Sequence, residues 1–220
     1  MLLEEIRRQV IETPIRMSND GLVRSTWGNV SCRDARTGYL AVTPSGMKYH
    51  LLQPEDIVIM DVEGKIIDGL RRPSIESPMH RIIMDRRPDV QAVVHTHSVY
   101  ATAYSTLGQE LPIISTELAA LAGGTVRTAP YATSGTDEFG YRAIEALGSG
   151  GSAALLQNHG VVAVGASLDQ AYDVALGVEE SAKMYFIAST IGTPIMVPEE
   201  ERRKLYHFLR HGYGQPLDRK

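Results

Sequence analysis

The chain has 220 residues, of which 43% are hydrophobic and 22% charged, and its formal net charge is −4. These values are typical of a globular protein and favour one large domain over residues 1–220. The chain lacks the basic excess of nucleic-acid-binding proteins, and its only cysteine, Cys32, excludes an intramolecular disulfide. No signal peptide or membrane span is predicted. We therefore expect a soluble, cytoplasmic protein without nucleic-acid or membrane partners.

The first half of the chain predicts one helix followed by short strands. Apolar residues recur at helical spacing from Leu3 to Ile11, and Pro14 is expected to kink or end this helix. Two stretches rich in small polar residues are interpreted as turns, residues 26–31 and 43–46. Strands are predicted at residues 39–43, 57–60 and 65–67. Because their connections are short, we expect antiparallel pairing in this part of the sheet.

The second half alternates helices and strands. A helix over residues 78–86 is predicted to follow Ser77 as its cap, with Pro78 at its first position, and a strand over residues 90–94 follows Pro88. Two more strands, 153–156 and 161–164, flank residues 157–160 as a hairpin with His159 at its tip. Further helices are predicted at residues 99–107, 116–121, 137–147, 168–189 and 199–211, and residues 211–216 are predicted to form an irregular tail.

The first candidate for chemistry is the pair His95 and His97 at the end of the predicted strand. Side chains alternate along a strand, so both imidazoles point to one side while Thr96 points to the other. Imidazole is a favoured ligand for zinc and similar divalent ions, and two converging rings lack only a third ligand to form a catalytic site. The same pattern also describes two ordinary histidines at a strand end.

His159 is the best candidate for a third ligand because it lies at a tight polar turn between two apolar strands. Glu76, just before the predicted helix, could act as a fourth ligand or as a base beside the metal. An acid at this place also stabilises the helix dipole without any catalytic role. His80 is interpreted as a residue that satisfies a hydrogen bond between a helix and a loop.

Several small residues could supply backbone N–H and hydroxyl donors to a phosphate group. They lie in the two turns named above and at Ser74, before the helix that follows Glu76. Each turn is a weak signal by itself, since turns are commonly rich in such residues.

Six segments together resemble the class II aldolase and adducin-head family, in the same order from about residue 1 to Tyr213. They are Thr26-Trp27-Gly28-Asn29-Val30-Ser31, Thr43-Pro44-Ser45-Gly46, Pro73-Ser74-Ile75-Glu76, His95-Thr96-His97-Ser98, Ala129-Pro130-Tyr131-Ala132-Thr133-Ser134-Gly135-Thr136 and Gln157-Asn158-His159-Gly160. The fifth segment is most similar to the L-fuculose-1-phosphate aldolase branch. The first is more similar to the L-ribulose-5-phosphate 4-epimerase branch.

The resemblance implies a role for each matching residue. His95, His97 and His159 correspond to the three zinc ligands of the family, and Glu76 to an acid that ligates zinc at rest and then acts as general base. The phosphate-binding positions correspond to Asn29, Ser45, Gly46 and Ser74, with Thr26 and Gly28 as further candidates. Tyr213 corresponds to a catalytic tyrosine that reaches the active site of an adjacent subunit.

The family also implies a fold, an assembly and a cofactor. The expected fold is a three-layer α/β/α arrangement with a mostly antiparallel central sheet. The expected assembly is a homotetramer with active sites between subunits, and the expected cofactor is one Zn²⁺ per subunit, or another divalent transition metal. The substrate would be a small phosphorylated sugar.

Two positions depart from the aldolase pattern. Ile75 replaces a serine and removes one hydroxyl from the predicted phosphate pocket. Glu117 stands where the aldolase has a second catalytic tyrosine, and Ala120 lies near the place of the epimerase's catalytic aspartate. A glutamate at this point resembles the acid/base of methylthioribulose-1-phosphate dehydratase, although an acid early in a helix also stabilises the helix dipole.

We therefore predict a metal-dependent carbon–carbon lyase. It would cleave a ketose phosphate similar to L-fuculose 1-phosphate into dihydroxyacetone phosphate and an aldehyde, with the cation stabilising the enediolate charge. Glu76 would transfer the proton at carbon, and Tyr213, with Glu117, the proton on the aldehyde side. The alternatives are the 4-epimerase, the dehydratase, and an adducin-like interaction module without catalysis.

Overall fold

The computed structural model describes residues 1–214, within which the chain forms eight strands, seven α-helices and two short 3₁₀ helices, Tyr49–Leu51 and Pro54–Asp56. The strands are β1 Gly28–Arg33, β2 Leu40–Val42, β3 Val58–Met60, β4 Ile66–Asp68, β5 Ala92–Thr96, β6 Arg127–Ala129, β7 Ala153–Leu156 and β8 Gly160–Gly165. The helices are α1 Glu4–Asn19, α2 Ser77–Arg86, α3 Val99–Ser105, α4 Thr116–Ala122, α5 Asp137–Leu147, α6 Leu168–Ile191 and α7 Glu199–His211. Gln215 and Pro216, the end of the predicted irregular tail, lie outside the described residues.

The strands form one sheet in the order β4-β3-β2-β1-β5-β8-β7-β6. Neighbouring strands are antiparallel except β6 and β7, which are parallel. The prediction of antiparallel pairing from short connections is therefore confirmed for β2, β3 and β4. Strand β5, which carries His95, lies at the centre between β1 and β8.

Helices cover both faces of the sheet, as the predicted three-layer α/β/α arrangement requires. Helices α2 and α5 pack on the face of the sheet to which the Val93 side chain points. Met79 of α2 and Phe139 of α5 belong to the core on this face. On the other face, α1, α3, α4 and α6 pack on the side of Val94. Successive strand residues point to opposite faces, so β5 contributes to both cores. Among residues 1–214, none of the helices combines the length and apolar character needed to cross a membrane.

Two strands and two helix details differ from the sequence predictions. Residues 28–31 were expected to be part of the turn over residues 26–31, but they form the first part of β1, where Asn29 and Ser31 are buried and hydrogen-bonded to Glu76 and His80. The short β6 was not predicted. Pro14 lies inside α1, which continues to Asn19 and is not ended by it. Helix α2 has Glu76 at its N-cap position, so Ser77 is its first residue and not its cap.

Candidate metal centre

Four side chains with metal-ligand chemistry converge at one end of β5. His95 is on β5, His97 follows it, His159 lies at the tip of the β7–β8 hairpin, and Glu76 precedes α2. Their ligand atoms all lie within 4.8 Å of one another. His95 Nε2 is 3.0 Å from His97 Nε2 and 3.2 Å from His159 Nε2. The predicted convergence of the two strand-end histidines with the hairpin-tip histidine is therefore present.

These distances fit a single divalent cation. Tetrahedral zinc with nitrogen ligands at 2.0–2.1 Å separates neighbouring ligand atoms by about 3.3 Å, close to the spacing of the histidine nitrogens. His95 Nδ1 lies 2.8 Å from the carbonyl oxygen of Val161, which can only accept, so Nδ1 carries the proton. The lone pair of Nε2 is then directed at the other ligands, an arrangement typical of metal-bound histidine. Burial lowers the pKa of His95 to about 4, so the ring is neutral near pH 7.

Glu76 completes the cluster as an ionised carboxylate. Its Oε1 lies 2.9 Å from His159 Nε2, and its Oε2 lies 3.3 Å from His95 Nε2. Ser134 Oγ donates to Oε1 and Asn29 Nδ2 donates to Oε2, each at 2.6 Å. Burial raises the pKa of Glu76, but the nearby imidazoles and these hydrogen bonds outweigh burial and hold the pKa below its ordinary value.

A buried histidine outside the ligand set continues this network. His80 on α2 has no solvent exposure, and its Nε2 lies 2.5 Å from Asn29 Oδ1. Its Nδ1 lies 2.6 Å from Ser31 Oγ on β1. His80 was expected to make a hydrogen bond between a helix and a loop, whereas its side-chain partners lie on β1.

The predicted phosphate-binding segments lie side by side at the same end of β1. Ser45 N–H donates to the carbonyl oxygen of Arg72, and Ser74 N–H donates to the carbonyl oxygen of Thr43, both at 3.0 Å. These bonds hold the turn that contains Ser45 and Gly46 against the segment before Glu76. Ser45 and Gly46 are exposed, whereas Ser74 is 6% exposed and accepts a hydrogen bond from the Glu76 N–H.

The β1 end of this region includes Thr26, Gly28 and Asn29. Thr26 is half-buried in the turn before β1, and Asn29 has both ends of its amide in contact with Glu76 and His80. Gly28 has a φ of +135°, and a Cβ there would lie 2.8 Å from the carbonyl oxygen of His95, so only glycine fits. This close approach brings β1 and its preceding turn to the metal cluster.

Glu117 and Tyr213 lie apart from the metal cluster within one chain. Both line an apolar groove between α4, α6 and α7 with a cavity volume of about 520 Å³. The groove is lined by residues of these helices and by Tyr213, and none of the four metal-ligand candidates is among them. Both side chains are exposed to solvent, Tyr213 by 72%. The structure therefore places the two predicted catalytic residues together, but not beside Glu76 of the same chain.

Ser134, His80 and Ser31 were not predicted from the sequence to be site residues. Ser134 lies inside one of the six segments that carry the family resemblance, and that position was the available signal. Ser31 lies two residues after Asn29 on β1, so its side chain points to the same face of the sheet as that of Asn29. No local pattern indicates which buried polar groups will pair across the sheet and α2.

Comparisons with known proteins agree along most of the chain. The family described as the Class II Aldolase and Adducin N-terminal domain matches residues 8–186. The 5-deoxy-D-ribulose 1-phosphate aldolase of Bacillus thuringiensis serovar kurstaki is 40% identical over 215 residues, which are 98% of this chain and 100% of the relative. A 5-methylthioribulose-1-phosphate/5-deoxyribulose-1-phosphate aldolase of Rhodospirillum rubrum is 38% identical over 213 residues, covering 96% and 95%. A solved structure of an L-fuculose 1-phosphate aldolase superposes with a TM-score of 0.90 at 35% identity, covering 94% of this chain and 96% of that chain.

Proposed function

Because this chain belongs to the class II aldolase and adducin N-terminal domain family, we propose that it is a metal-dependent aldolase of small ketose 1-phosphates. Membership of the family confirms the resemblance that the six segments indicated. The reaction breaks the bond between C3 and C4 of the ketose and yields dihydroxyacetone phosphate and an aldehyde. The single observation that carries the proposal is the ionised Glu76 among three converging imidazoles.

The preferred substrate is a ketose 1-phosphate that ends in a methyl group. Both relatives named above carry 5-deoxyribulose 1-phosphate in their names, and that substrate would give acetaldehyde. L-Fuculose 1-phosphate, the substrate expected from the sequence, would give lactaldehyde and is the second candidate. Both share the dihydroxyacetone phosphate half, so the same phosphate and metal contacts serve either one.

The cluster fits a divalent cation held by His95, His97, His159 and Glu76, with Zn²⁺ as the first choice and Mn²⁺ or Co²⁺ as alternatives. When bound, the cation supplies the positive charge that stabilises the enediolate left by cleavage.

The chain's own groups would carry the remaining steps. Glu76, whose pKa lies below its ordinary value, would take and return the proton at the enediol carbon. Asn29, Ser45, Gly46 and Ser74, with Thr26 and Gly28, would hold the phosphate through hydroxyl, amide and backbone N–H donors. Ile75 in place of a serine leaves that pocket with one hydroxyl fewer.

Glu117 and Tyr213 would act on the aldehyde-side hydroxyl of a neighbouring subunit's substrate. Their exposure and their distance from the cluster of their own chain support this assignment. It requires an assembly with active sites between subunits, and we propose a homotetramer. We also propose that residues 1–220 form a single domain and that the enzyme acts in the cytoplasm.

Two other activities and one non-catalytic role are alternative outcomes of the test. The 4-epimerase would rejoin the same bond after rotating the aldehyde, and a dehydratase would eliminate water with Glu117 as its acid/base. An adducin-like module would have no turnover and no need of a metal site. The complete set of three histidines and Glu76 supports an enzyme over this last alternative.

The test is turnover of metal-loaded protein with 5-deoxyribulose 1-phosphate, L-fuculose 1-phosphate, 5-methylthioribulose 1-phosphate and L-ribulose 5-phosphate. Dihydroxyacetone phosphate is followed with a coupled dehydrogenase, and the other products by NMR. We expect its release with an equivalent of aldehyde from at least one ketose 1-phosphate. Release should be lost in His97→Ala and retained in His50→Ala, an exposed histidine outside the cluster. An epimer or dehydrated ketose without release would refute the aldolase assignment.

A further inference from the structure

A chain of three buried hydrogen bonds links β1 to the carboxylate of Glu76 through α2. It runs from Ser31 Oγ to His80 Nδ1 at 2.6 Å, from His80 Nε2 to Asn29 Oδ1 at 2.5 Å, and from Asn29 Nδ2 to Glu76 Oε2 at 2.6 Å. Ser31 and His80 have no solvent exposure, and Asn29 has 5%. Neither His80 nor Ser31 has a part in the reaction described above.

The direction of each of these three hydrogen bonds follows from the Glu76 carboxylate at the end of the series. An ionised carboxylate can only accept, so the NH₂ group of Asn29 must face Glu76. The amide oxygen of Asn29 then faces His80, and His80 Nε2 must carry a proton to donate to it. A neutral imidazole has one N–H, so Nδ1 accepts from the Ser31 hydroxyl. Burial lowers the pKa of His80 to about 3, which keeps the ring neutral and excludes the doubly protonated form near pH 7.

The position of His80 on α2 makes it a rigid anchor for this arrangement. Glu76 is the N-cap of α2 and His80 follows four residues later, so both lie on the same side of the helix. The preceding Met79 is fully buried against the sheet and holds the helix in place. Asn29 bridges the two residues from β1.

We propose that His80 is a positioning residue that fixes the orientation of the Asn29 amide and thereby holds the Glu76 carboxylate in place for metal ligation and proton transfer. This inference rests on the role proposed for Glu76. Without the N–H of His80, the Asn29 amide is free to turn and present its oxygen to Glu76. Two acceptors would then face each other in a buried site, and the carboxylate would be displaced from the three histidines.

The test is a double-mutant cycle on metal affinity, which needs no substrate. The dissociation constant for Zn²⁺ is measured by competition with a chelator in wild type, His80→Phe, Glu76→Gln and the double variant. We expect His80→Phe to weaken binding by about tenfold, as supporting hydrogen bonds of metal ligands commonly do. In the Glu76→Gln background, the same change should alter affinity by less than about twofold, because the group that it positions is no longer a carboxylate.

Two further variants separate positioning from folding. His80→Gln retains an N–H that can donate to Asn29 and should restore affinity to within about threefold of wild type. Ile83→Ala removes an equally buried side chain of α2 that has no polar contact, and it should leave metal affinity unchanged. If His80→Phe does not fold, Ser31→Ala replaces it in the cycle, because it removes the donor that fixes the tautomer of His80.

Two results would overturn the inference. In the first, the loss of affinity in His80→Phe persists in full when Glu76 is glutamine. In the second, His80→Gln binds metal as poorly as His80→Phe. Failure of the proposed function is recognised separately, because wild type would then release no dihydroxyacetone phosphate while its metal affinity was still measurable. Where release is observed, His80→Phe should lower kcat about tenfold with KM nearly unchanged.

Discussion

Replacement of Gly160 by alanine is expected to damage the metal centre through the sheet and not through a ligand. Gly160 begins β8 directly after His159. A Cβ at this position would lie much closer than 3.0 Å to the carbonyl oxygen of Thr96 on β5, a separation that real Cβ atoms essentially never show. It would also lie 3.3 Å from Cε1 of His95. The φ of Gly160 is not in the left-handed region, so the effect of alanine is steric.

The magnitude follows from the contact with backbone atoms, which cannot rotate away. Overpacking of this kind costs about 2 kcal/mol and, for a domain of this size, lowers Tm by roughly 4–8 °C. Movement of β8 away from β5 also shifts His159 and the carbonyl of Val161 that orients His95. Because metal sites tolerate ligand shifts of only about 0.2 Å, we expect at least about a tenfold loss of metal affinity. Saturating metal should then raise stability by about 1.4 kcal/mol less than in wild type.

The assay combines thermal unfolding with and without Zn²⁺ and chelator competition for the dissociation constant. Gly150→Ala is the matched control, because a Cβ at Gly150 would have nothing within 4 Å and its φ is not in the left-handed region. The control should be neutral or slightly stabilising, since alanine restricts the unfolded chain. Wild-type stability and metal affinity in Gly160→Ala would refute the argument that β8 packs this closely on β5.

Three further predictions concern other parts of the chain. Arg7 is 1% exposed and donates to three backbone carbonyls and Asp68, so Arg7→Met should cost about 3 kcal/mol in guanidinium unfolding. Burial raises the pKa of Cys32 to about 11, so at pH 8 roughly one thiol in a thousand is ionised and the folded protein should react slowly with a disulfide reagent. Ser134→Ala removes a donor to Glu76, which should raise the pKa of that carboxyl and lower kcat about tenfold in the coupled assay.

Each of these has its own control. Arg8→Met affects a solvent-exposed pair with Glu4 and should leave stability nearly unchanged, so equal losses of stability at both arginines would contradict the burial argument. Cys32 should react fully once the chain is unfolded, whereas fast reaction of the folded protein would show an accessible thiolate. Thr133→Ala changes the exposed neighbour of Ser134, and a similar loss of kcat there would indicate that the loop and not the hydroxyl is required.

Local patterns determined most of the elements and the core of the metal site. Helix α5 has the predicted bounds of residues 137–147, and the β7–β8 hairpin presents His159 as expected. His95 and His97 could be paired from sequence because alternation along a strand is a property of the backbone itself. The six segments were sufficient for the family because they occur in the same order and are spread from Thr26 to Gly160, although each is short.

Only the tertiary structure decided which groups surround Glu76. Asn29 and Ser134 are 47 and 58 residues away from it along the chain, and the His80 imidazole is linked to its carboxylate through Asn29. The polar residues at the start of β1 were interpreted as a turn. Their buried side chains acquire hydrogen-bond partners only when α2 packs on the sheet. Periodicity describes the geometry of one segment, whereas the pairing of buried polar groups depends on the register of β1 with β5 and on the placement of α2 above them.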